Sequence, residues 1–453
     1  MRLATRRMLD RSFSGLGFLS IFMMAASLLV ILSPILVRGF GAFVFRGTVE
    51  FRRVQLERFE RGNREALDAE LTQARAARQP LYDLLAMFER ELEAADPAVR
   101  RQYAGPMREL KEGLHALLGP APGEAPPVMP REQYGQTRWD RARVALDRVL
   151  MREEYDYSDP TQMGKKVRVP RMKDFAGTSL EPLFPYLEQN VRAMLHPRLT
   201  VYLRFLTDES IDAHFFGGIW PEVLGTLYLT LGAMLFALPM GIISAIYLVE
   251  YAGEGRLISL LRTFVSTLAG VPSIVFALFG LAFFINTLHV THGKSLLAGA
   301  MTLAILVLPT VIRASEEAIR AVPVTYKEAA LSVGASKWHT IVSVVLPASL
   351  PGILTGVVIS MGRAAGETAP IIFTAAVSVG KALNFAKLRF WETLAEPTPA
   401  LPWNIYNLST EHEAVDEIRH VQFGMVFTLV LLVLLLNVAA IVLRARVSRK
   451  LKG

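Results

Sequence analysis

The sequence predicts an all-α integral membrane protein: six transmembrane helices in one bundle, with a polar helical domain inserted after the first span. Three observations lead there. Of the 453 residues, 52% are hydrophobic and 20% charged, so the chain is too apolar for an ordinary soluble protein and too charged to be membrane span throughout. The apolar residues are gathered into runs, several of them long enough to cross the hydrocarbon, which takes about 20 helical residues. Lysine and arginine flank these runs in a pattern that assigns sides. The net charge of +8 therefore reports loop orientation and not nucleic-acid binding. With no cysteine, disulfides, thiolate metal sites and cysteine nucleophiles are excluded, and any outer domain must be held by its core alone.

The first run, SGLGFLSIFMMAASLLVILSPILV at about 14–37, follows a basic tail at 1–12. A signal peptide has the same order of parts, but its apolar core is about 7–15 residues long. The longer run reads as an uncleaved anchor at 13–39. The Arg6–Arg7 pair reads as a topology signal, not a twin-arginine signal.

Residues 40–215 are polar and helix-patterned. Leu81, Leu84, Leu85, Phe88 and Leu92 share one helical face, as do Leu110, Leu114, Leu117 and Leu118. Trp139, Ala142, Leu146, Val149 and Leu150 form a third face, and GPAPGEAPPVMP at 119–130 divides the region. Arg52, Arg53, Glu57 and Arg58 read as a solvated helix face. No catalytic constellation appears here.

Residues 216–445 hold five further runs, at about 220–249, 258–288, 296–312, 348–379 and 422–443, before a tail at 446–453. Pro239, Pro272, Pro309, Pro351 and Pro370 fall within them, which a bundle tolerates better than water does. Arg2, Arg6, Arg7 and Arg11 in one tail and the five basic residues of RARVSRKLKG in the other place both termini inside, as an even number of spans requires. The domain at 40–215 is then outside, with His289–Ser295 and the segment 381–420, whose acidic residues are Glu392, Glu396, Glu411, Glu413, Asp416 and Glu417. The loops 250–262 and 313–346 are inside.

The second inner loop contains TYKEAALSVGASKWHTIVSVVLPASLPG. Gly334 allows a sharp turn between two helical pieces, and Ala329 and Ala330 allow close helix approach. Such an element suits docking of a partner, or is a structured connector. Glu328-Ala329-Ala330, three residues, Gly334, nine residues and then Val344-Val345-Leu346-Pro347 resembles the EAA loop of ABC importer permeases, EAA-x3-G-x9-I-x-L-P, with Val344 in place of the isoleucine. The resemblance implies that the loop at 324–347 couples to a cytoplasmic ATPase through Glu328, Ala329, Ala330 and Gly334, with Leu346 and Pro347 closing the motif.

VLPTVIRASEEAIRAVPVTYKEAALSVGASKW, MGRAAGETAPIIFTAA and PTPALPWNIYN at 398–408 are similar to the phosphate permeases of the PstA type, over about 215–445 and the first span. This implies a MetI-like bundle in a bacterial inner membrane and a helical periplasmic insertion. The implied partners are a second homologous permease, a cytoplasmic ATPase dimer that binds ATP and Mg, a periplasmic phosphate-binding protein and membrane lipid, with no cofactor in this chain and no nucleic acid.

Two charged sets fall in the apolar regions. In GRAAGETAP, at 362–370, Arg363 and Glu367 stand four apart and share a helix face. A charge at the centre of a span costs about 2.5–3.5 kcal/mol on insertion scales and normally faces the bundle interior. The pair is either a self-neutralising structural ion pair or an anion path in which the planar guanidinium meets the substrate. At the inner end of the fourth span stand Arg313, Glu316, Glu317 and Arg320. Arg313 and Glu316 are spaced to pair, although charges at a span end also snorkel at little cost. The resemblance associates Arg313, Glu316 and Arg363 with phosphate passage; Glu367 is added by its proximity.

Gly352-x3-Gly356 and Gly362-x3-Gly366 have the spacing that lets helices pack closely. No GxxxxGK[ST] motif occurs. Gly293-Lys294-Ser295 lacks its first glycine, and His289, His292 and His412 are isolated, so no catalytic or metal residues are assigned. A permease for sulfate or molybdate is the nearest rival reading. A membrane signal receptor is the other, but the tail of about ten residues leaves no room for a signalling domain.

Overall fold

The computed structural model describes residues 3–125, 127–156, 164–253, 255–383, 385, 390–412 and 415–452. Arg2 and Glu413, both counted in the orientation argument, lie outside the described residues. The chain forms two units, residues 43–202 and the remainder, 1–42 with 203–453.

The larger unit is a helical bundle. It starts with α1 (Leu3–Phe40), whose apolar surface is largely exposed, as suits a helix facing lipid. Two short strands, Ser210–Ile211 and Phe216–Gly217, then pair with each other. The bundle continues through α7 (Trp220–Ile246), α8 (Arg256–Leu268), α9 (Ser273–Gly280) and α10 (Leu296–Arg320). Then come α11 (Val324–Ser332), α12 (Lys337–Thr340), α13 (Leu346–Gly366) and α14 (Ala369–Thr374). The short α15 (Phe390–Leu394) and α16 (Leu401–Thr410) precede the long α17 (Val415–Lys452). Single π-helical stretches extend α7 (Tyr247–Tyr251), extend α9 (Leu281–Thr287) and join α12 to α13 (Ile341–Val345).

Five segments are long and apolar enough to span: Ser12–Phe40, Trp220–Tyr251, Leu296–Arg320, Lys337–Gly366 and Val415–Arg449. The run expected as one straight span at 258–288 is instead a pair of helices, Arg256–Leu268 and Ser273–Thr287, bent by 102°. Gly270 and Pro272 sit at the bend, where proline's missing N–H and fixed φ start a new helix instead of continuing the old one. The bent pair still returns the chain across the bundle. Gly232 of α7 backs onto Ala300 of α10 and Gly241 onto Val311, so α7 and α10 run in the same direction. Two parallel spans need a crossing between them; with the bent pair as that crossing, the described residues hold up to six spans.

The run expected at 348–379 also differs. Its helix starts earlier, at Lys337, and stops at Gly366; Pro370 lies in the first turn of α14. Pro239, Pro309 and Pro351 do lie inside helices, whereas Pro272 and Pro370 open new ones. Buried Thr226, Thr230 and Thr302 donate to the carbonyls four residues back, so these hydroxyls are satisfied within their own helices.

The second unit is built on α3 (Arg64–Ala94), α4 (Pro97–Leu118), α5 (Trp139–Leu150) and α6 (Leu183–Leu195), with the shorter α2 (Val49–Phe59) alongside. Its core holds Leu81, Leu85, Phe88, Leu110, Leu114, Leu117 and Val149, so the helix faces read from the sequence do point inward. Phe184, Leu187 and Val191 of α6 join them. The region is not all helix. Strand β1 (Val44–Gly47) pairs with β4 (Arg198–Val201), and β2 (Met151–Asp156) with β3 (Lys165–Pro170), both antiparallel. The unit ends at Tyr202 and not near 215, because Phe205 packs beside Gly424 of α17.

Arg52, Arg53, Glu57 and Arg58 are not a simple solvated face. Arg52 pairs with Glu70 at 2.7 Å and donates to the carbonyls of Gly47 and His196, and Arg58 reaches the side chains of Gln133 and Tyr134. Deeper in, Arg78 meets the buried Glu50 at 3.0 Å and donates to the carbonyls of Met194 and Leu118. One guanidinium thus ties α2, α4 and α6 to α3. Breaking a buried pair from one side leaves a charge without compensation and costs about 3–5 kcal/mol. Arg78→Met is expected to strip amide protection from α3, α4 and α6 in hydrogen exchange while leaving α7 and α10 protected.

Candidate functional site

The charged residues named from the sequence occupy two depths of the bundle. Gly352 and Gly356 of α13 back onto Ala318 and Ala314 of α10, and a Cβ at either glycine would stand 2.7 or 2.3 Å from the alanine methyl. This is the close seam expected of small-xxx-small spacing. The pair Gly362 and Gly366 makes no such seam: Gly362 only touches Val433 and Asn437 of α17, and Gly366 faces open space.

The seam fixes the register. Four residues up α13 match four residues down α10, so the helices are antiparallel and Arg363 falls level with Val307. Val307 lies eleven residues in from Leu296, about 17 Å at 1.5 Å per residue. A second ruler agrees. Gly424 of α17 packs beside Ala42, just past the end of α1, and Gly362 touches α17 nine to thirteen residues further on, about 14–20 Å deeper. Against hydrocarbon about 30 Å thick, Arg363 stands near the middle.

Two helix breaks lie in the middle part of the bundle. One is the end of α13 itself: Glu367 is its last cap, in extended conformation, immediately after Arg363-Ala364-Ala365-Gly366. The other is the bend between α8 and α9. Ser266 of α8 accepts a hydrogen bond from Arg313, and Gly280 of α9 backs onto Thr302, so the bend lies between those two levels of α10, an interval that includes Val307. Backbone that leaves the helix at membrane depth must line a protein-buried or watery space. Discontinuous helices at the midplane are how many transporters build their sites.

Arg363 donates from Nε to Glu367 at 3.3 Å, and both side chains are partly exposed. Among the described residues the two Nη groups have no protein partner, so the outer edge of the guanidinium stays open. A single contact between partly exposed groups is worth about 0.2–1 kcal/mol, too little to close the arginine to a stronger ligand. Arg313 lies six residues along α10 from the Arg363 level, about 9 Å toward the C-terminal end of that helix. The pairing expected between Arg313 and Glu316 is not formed: Arg313 turns to the Ser266 hydroxyl, while Glu316 pairs with Arg320 at 3.7 Å. The four residues thus fall into separate sets: the Arg363–Glu367 pair at mid-depth, and further along α10 Arg313, bonded to Ser266 of α8, and Glu316, paired with Arg320.

The loop at 324–347 folds as helix, turn, helix. α11 buries none of its residues; Glu328 and Ala329 are exposed, Ala330 is half-buried, and Tyr326, Leu331, Val333 and Trp338 leave apolar surface uncovered. Gly334 takes φ +84, the left-handed conformation that glycine alone adopts without strain, and so sets the turn between α11 and α12. Leu346 is half-buried against the bundle core, and Pro347 opens α13.

Sequence reasoning missed what holds this loop. Lys327 of α11 forms an ion pair with Glu250, and the ammonium of Lys337 lies 4.8 Å from the Tyr251 ring centre. Both partners belong to the π-helical end of α7. Their signal was present, two lysines ten apart facing Glu250-Tyr251, but nothing local says that 250 and 327 meet. Lys294 and Ser295 also have plain structural roles: Lys294 donates to the Ala376 carbonyl, and Ser295 caps α10.

Residues 237–453 match the protein family described as binding-protein-dependent transport system inner membrane component. A probable ABC transporter permease protein, YqgI of Bacillus subtilis (strain 168), is 32% identical over 256 residues, covering 55% of this chain and 85% of that protein. The phosphate transport system permease protein PstA 1 of Mycobacterium tuberculosis (strain CDC 1551 / Oshkosh) is 39% identical over 240 residues, covering 53% of this chain and 75% of that protein. The inward-facing MetNI methionine ABC transporter overlays on 51% of this chain and 94% of its own, at 19% identity and a TM-score of 0.37.

The tie between α11 and α7 can be tested by charge reversal. Glu250→Lys and Lys327→Glu are each expected to speed amide exchange across 324–332 by about tenfold, the effect of losing a partly buried charged hydrogen bond. The double reversal is expected to restore most of the protection.

Proposed function

The chain belongs to the family of binding-protein-dependent transport system inner-membrane components, as a multi-pass membrane permease; on that premise we propose that it moves inorganic phosphate through the bundle by way of Arg363 and Arg313. The observation that carries the proposal is the open guanidinium edge of Arg363 at mid-depth, where two helices break. A tetrahedral oxyanion matches that planar fork with two hydrogen bonds. Glu367 keeps the empty site near neutral, so the anion meets attraction without a trap. Arg313 offers a second cation about 9 Å further in. Relatives named as phosphate transport permeases support phosphate over sulfate or molybdate.

The rest of the assembly follows from the same reading. The exposed helix α11, with Glu328, Ala329 and Ala330, is the surface that a cytoplasmic ATPase dimer would hold, and that dimer would bind the ATP and Mg. Gly334 and the ties of Lys327 and Lys337 to Glu250 and Tyr251 let a push on α11 reach α7 and, through the π-helical turn at Ile341–Val345, α13. Alternating access would then open the mid-depth site to one side at a time. A second homologous permease is the natural cover for the bare apolar face of α8, where Leu257, Leu260, Leu261 and Phe264 are exposed. A periplasmic phosphate-binding protein would deliver the anion to the outer side. Both termini lie in the cytoplasm in this reading, and residues 43–202 outside.

The test is uptake by the assembled complex in liposomes. Arg363→Ala is expected to lower phosphate uptake by about 10- to 100-fold, the worth of a charge-assisted hydrogen bond to an anion, while the complex still assembles. Loss of assembly would assign the pair a structural role. ATPase stimulation by sulfate in place of phosphate would move the substrate to the rival oxyanion.

A further inference from the structure

The domain at 43–202 gathers arginines that no sequence run contains. Strand β1 places Arg46 beside β4, where Gly47 lies opposite Arg198. An isolated bridge joins Gly47 to Arg138, just before α5. Arg143 is on α5, and Arg192 is in the last turn of α6. These segments line two adjoining depressions of about 410 and 320 Å³, which share Arg46 and Arg192.

The charge balance in this basin is one-sided. Among the described residues, Asp140 is the one acidic side chain that lines it, and it is engaged by Arg138 at 3.2 Å. Arg198 is engaged by Glu70, which also serves Arg52. Arg46, Arg143 and Arg192 have no carboxylate partner among the described residues. Burial holds His196, also at the rim, below the usual imidazole range; Glu70 pulls the other way, and Arg52, Arg198 and Arg78 push further down. Arg138 is buried with its guanidinium 4.0 Å from the Phe45 ring centre, and Arg192 lies 5.7 Å from that of Trp139, so the aromatic floor fixes two of the cations. Holding like charges in one concavity costs energy unless a counter-charge enters, and guanidinium groups converging on a hollow are suited to bidentate oxyanion contacts.

We propose that this basin is an oxyanion site of the phosphate class, distinct from the path in the membrane bundle. It is built by Arg46, Arg143 and Arg192 around the Arg138–Asp140 pair. The ligand is either free inorganic phosphate or the phosphate of an anionic lipid headgroup. The site lies before residue 237, where the family match begins, and does not rest on the transport reading.

Hydrogen exchange on the full chain in nanodiscs separates the cases, because it reads this domain and not the bundle. In phosphatidylcholine discs, inorganic phosphate is expected to slow exchange severalfold across 44–47, 138–144 and 192–199, and more than sodium chloride of equal ionic strength does. The variant R46S/R192S is expected to lose that protection while α3 and α4 keep theirs, which shows an intact fold. If the same peptides are protected only when phosphatidylglycerol is present, with no added phosphate, and lose this in R46S/R192S, the headgroup is the ligand. Protection by neither, protection equalled by chloride, or protection that survives R46S/R192S would overturn the site.

Discussion

A guanidinium in the middle of a membrane must have water, a partner or both, and the bundle is arranged around that constraint. Arg363 stands at the last turn of α13, so one side of it is helix and the other is chain that has left the helix. The break supplies room, Glu367 supplies a partial counter-charge, and the bend between α8 and α9 falls within the stretch between the Thr302 and Arg313 levels of α10. A continuous span would have buried the arginine against neighbours or pushed it into lipid. The glycine–alanine seam between α13 and α10 is what fixes the depth, because no bulkier pair could bring the two backbones so close.

The same helix connects this depth to the loop at 324–347. From Lys337 to Gly366 it runs without a stop, apart from the π-helical turn at 341–345, so the segment that carries Arg363 begins directly behind α11 and α12. A π-helical turn is a wide, strained turn often placed where helices must adjust. It lies between the loop tied to α7 and the arginine at mid-depth. Movement of the loop therefore has a short covalent route to the site and a second route through Glu250.

Much of this was legible in the residues. The apolar runs located the spans, the leucine periodicities located the faces of α3, α4 and α5, and Gly334 marked the turn it occupies. Hydropathy does not register helix breaks. It sees 258–288 and 348–379 as unbroken because Gly270, Pro272, Gly366 and Pro370 interrupt hydrogen bonding without interrupting apolarity. The pairing of Arg313 with Glu316 was inferred from spacing, but a neighbouring hydroxyl on α8 and Arg320 compete for the two groups. The hairpin of β2 and β3 hides in MREEYD and KKVRVP, one strand mostly acidic and the other basic, so no apolar stripe marks them. The arginine basin and the Lys327–Glu250 tie are long-range products of folding, with nothing local to announce them.

If Arg363 is an anion site, the end of α13 beside it must be open to water. Because the chain has no cysteine, Gly366→Cys gives a single label point at a position with nothing packed against it. In the assembled complex in sealed vesicles, a membrane-impermeant thiol reagent is predicted to modify that cysteine from one side in the resting state, and phosphate is predicted to slow the reaction. A cysteine that no hydrophilic reagent reaches from either side, in any nucleotide state, would place Gly366 against lipid or in closed packing and contradict the account.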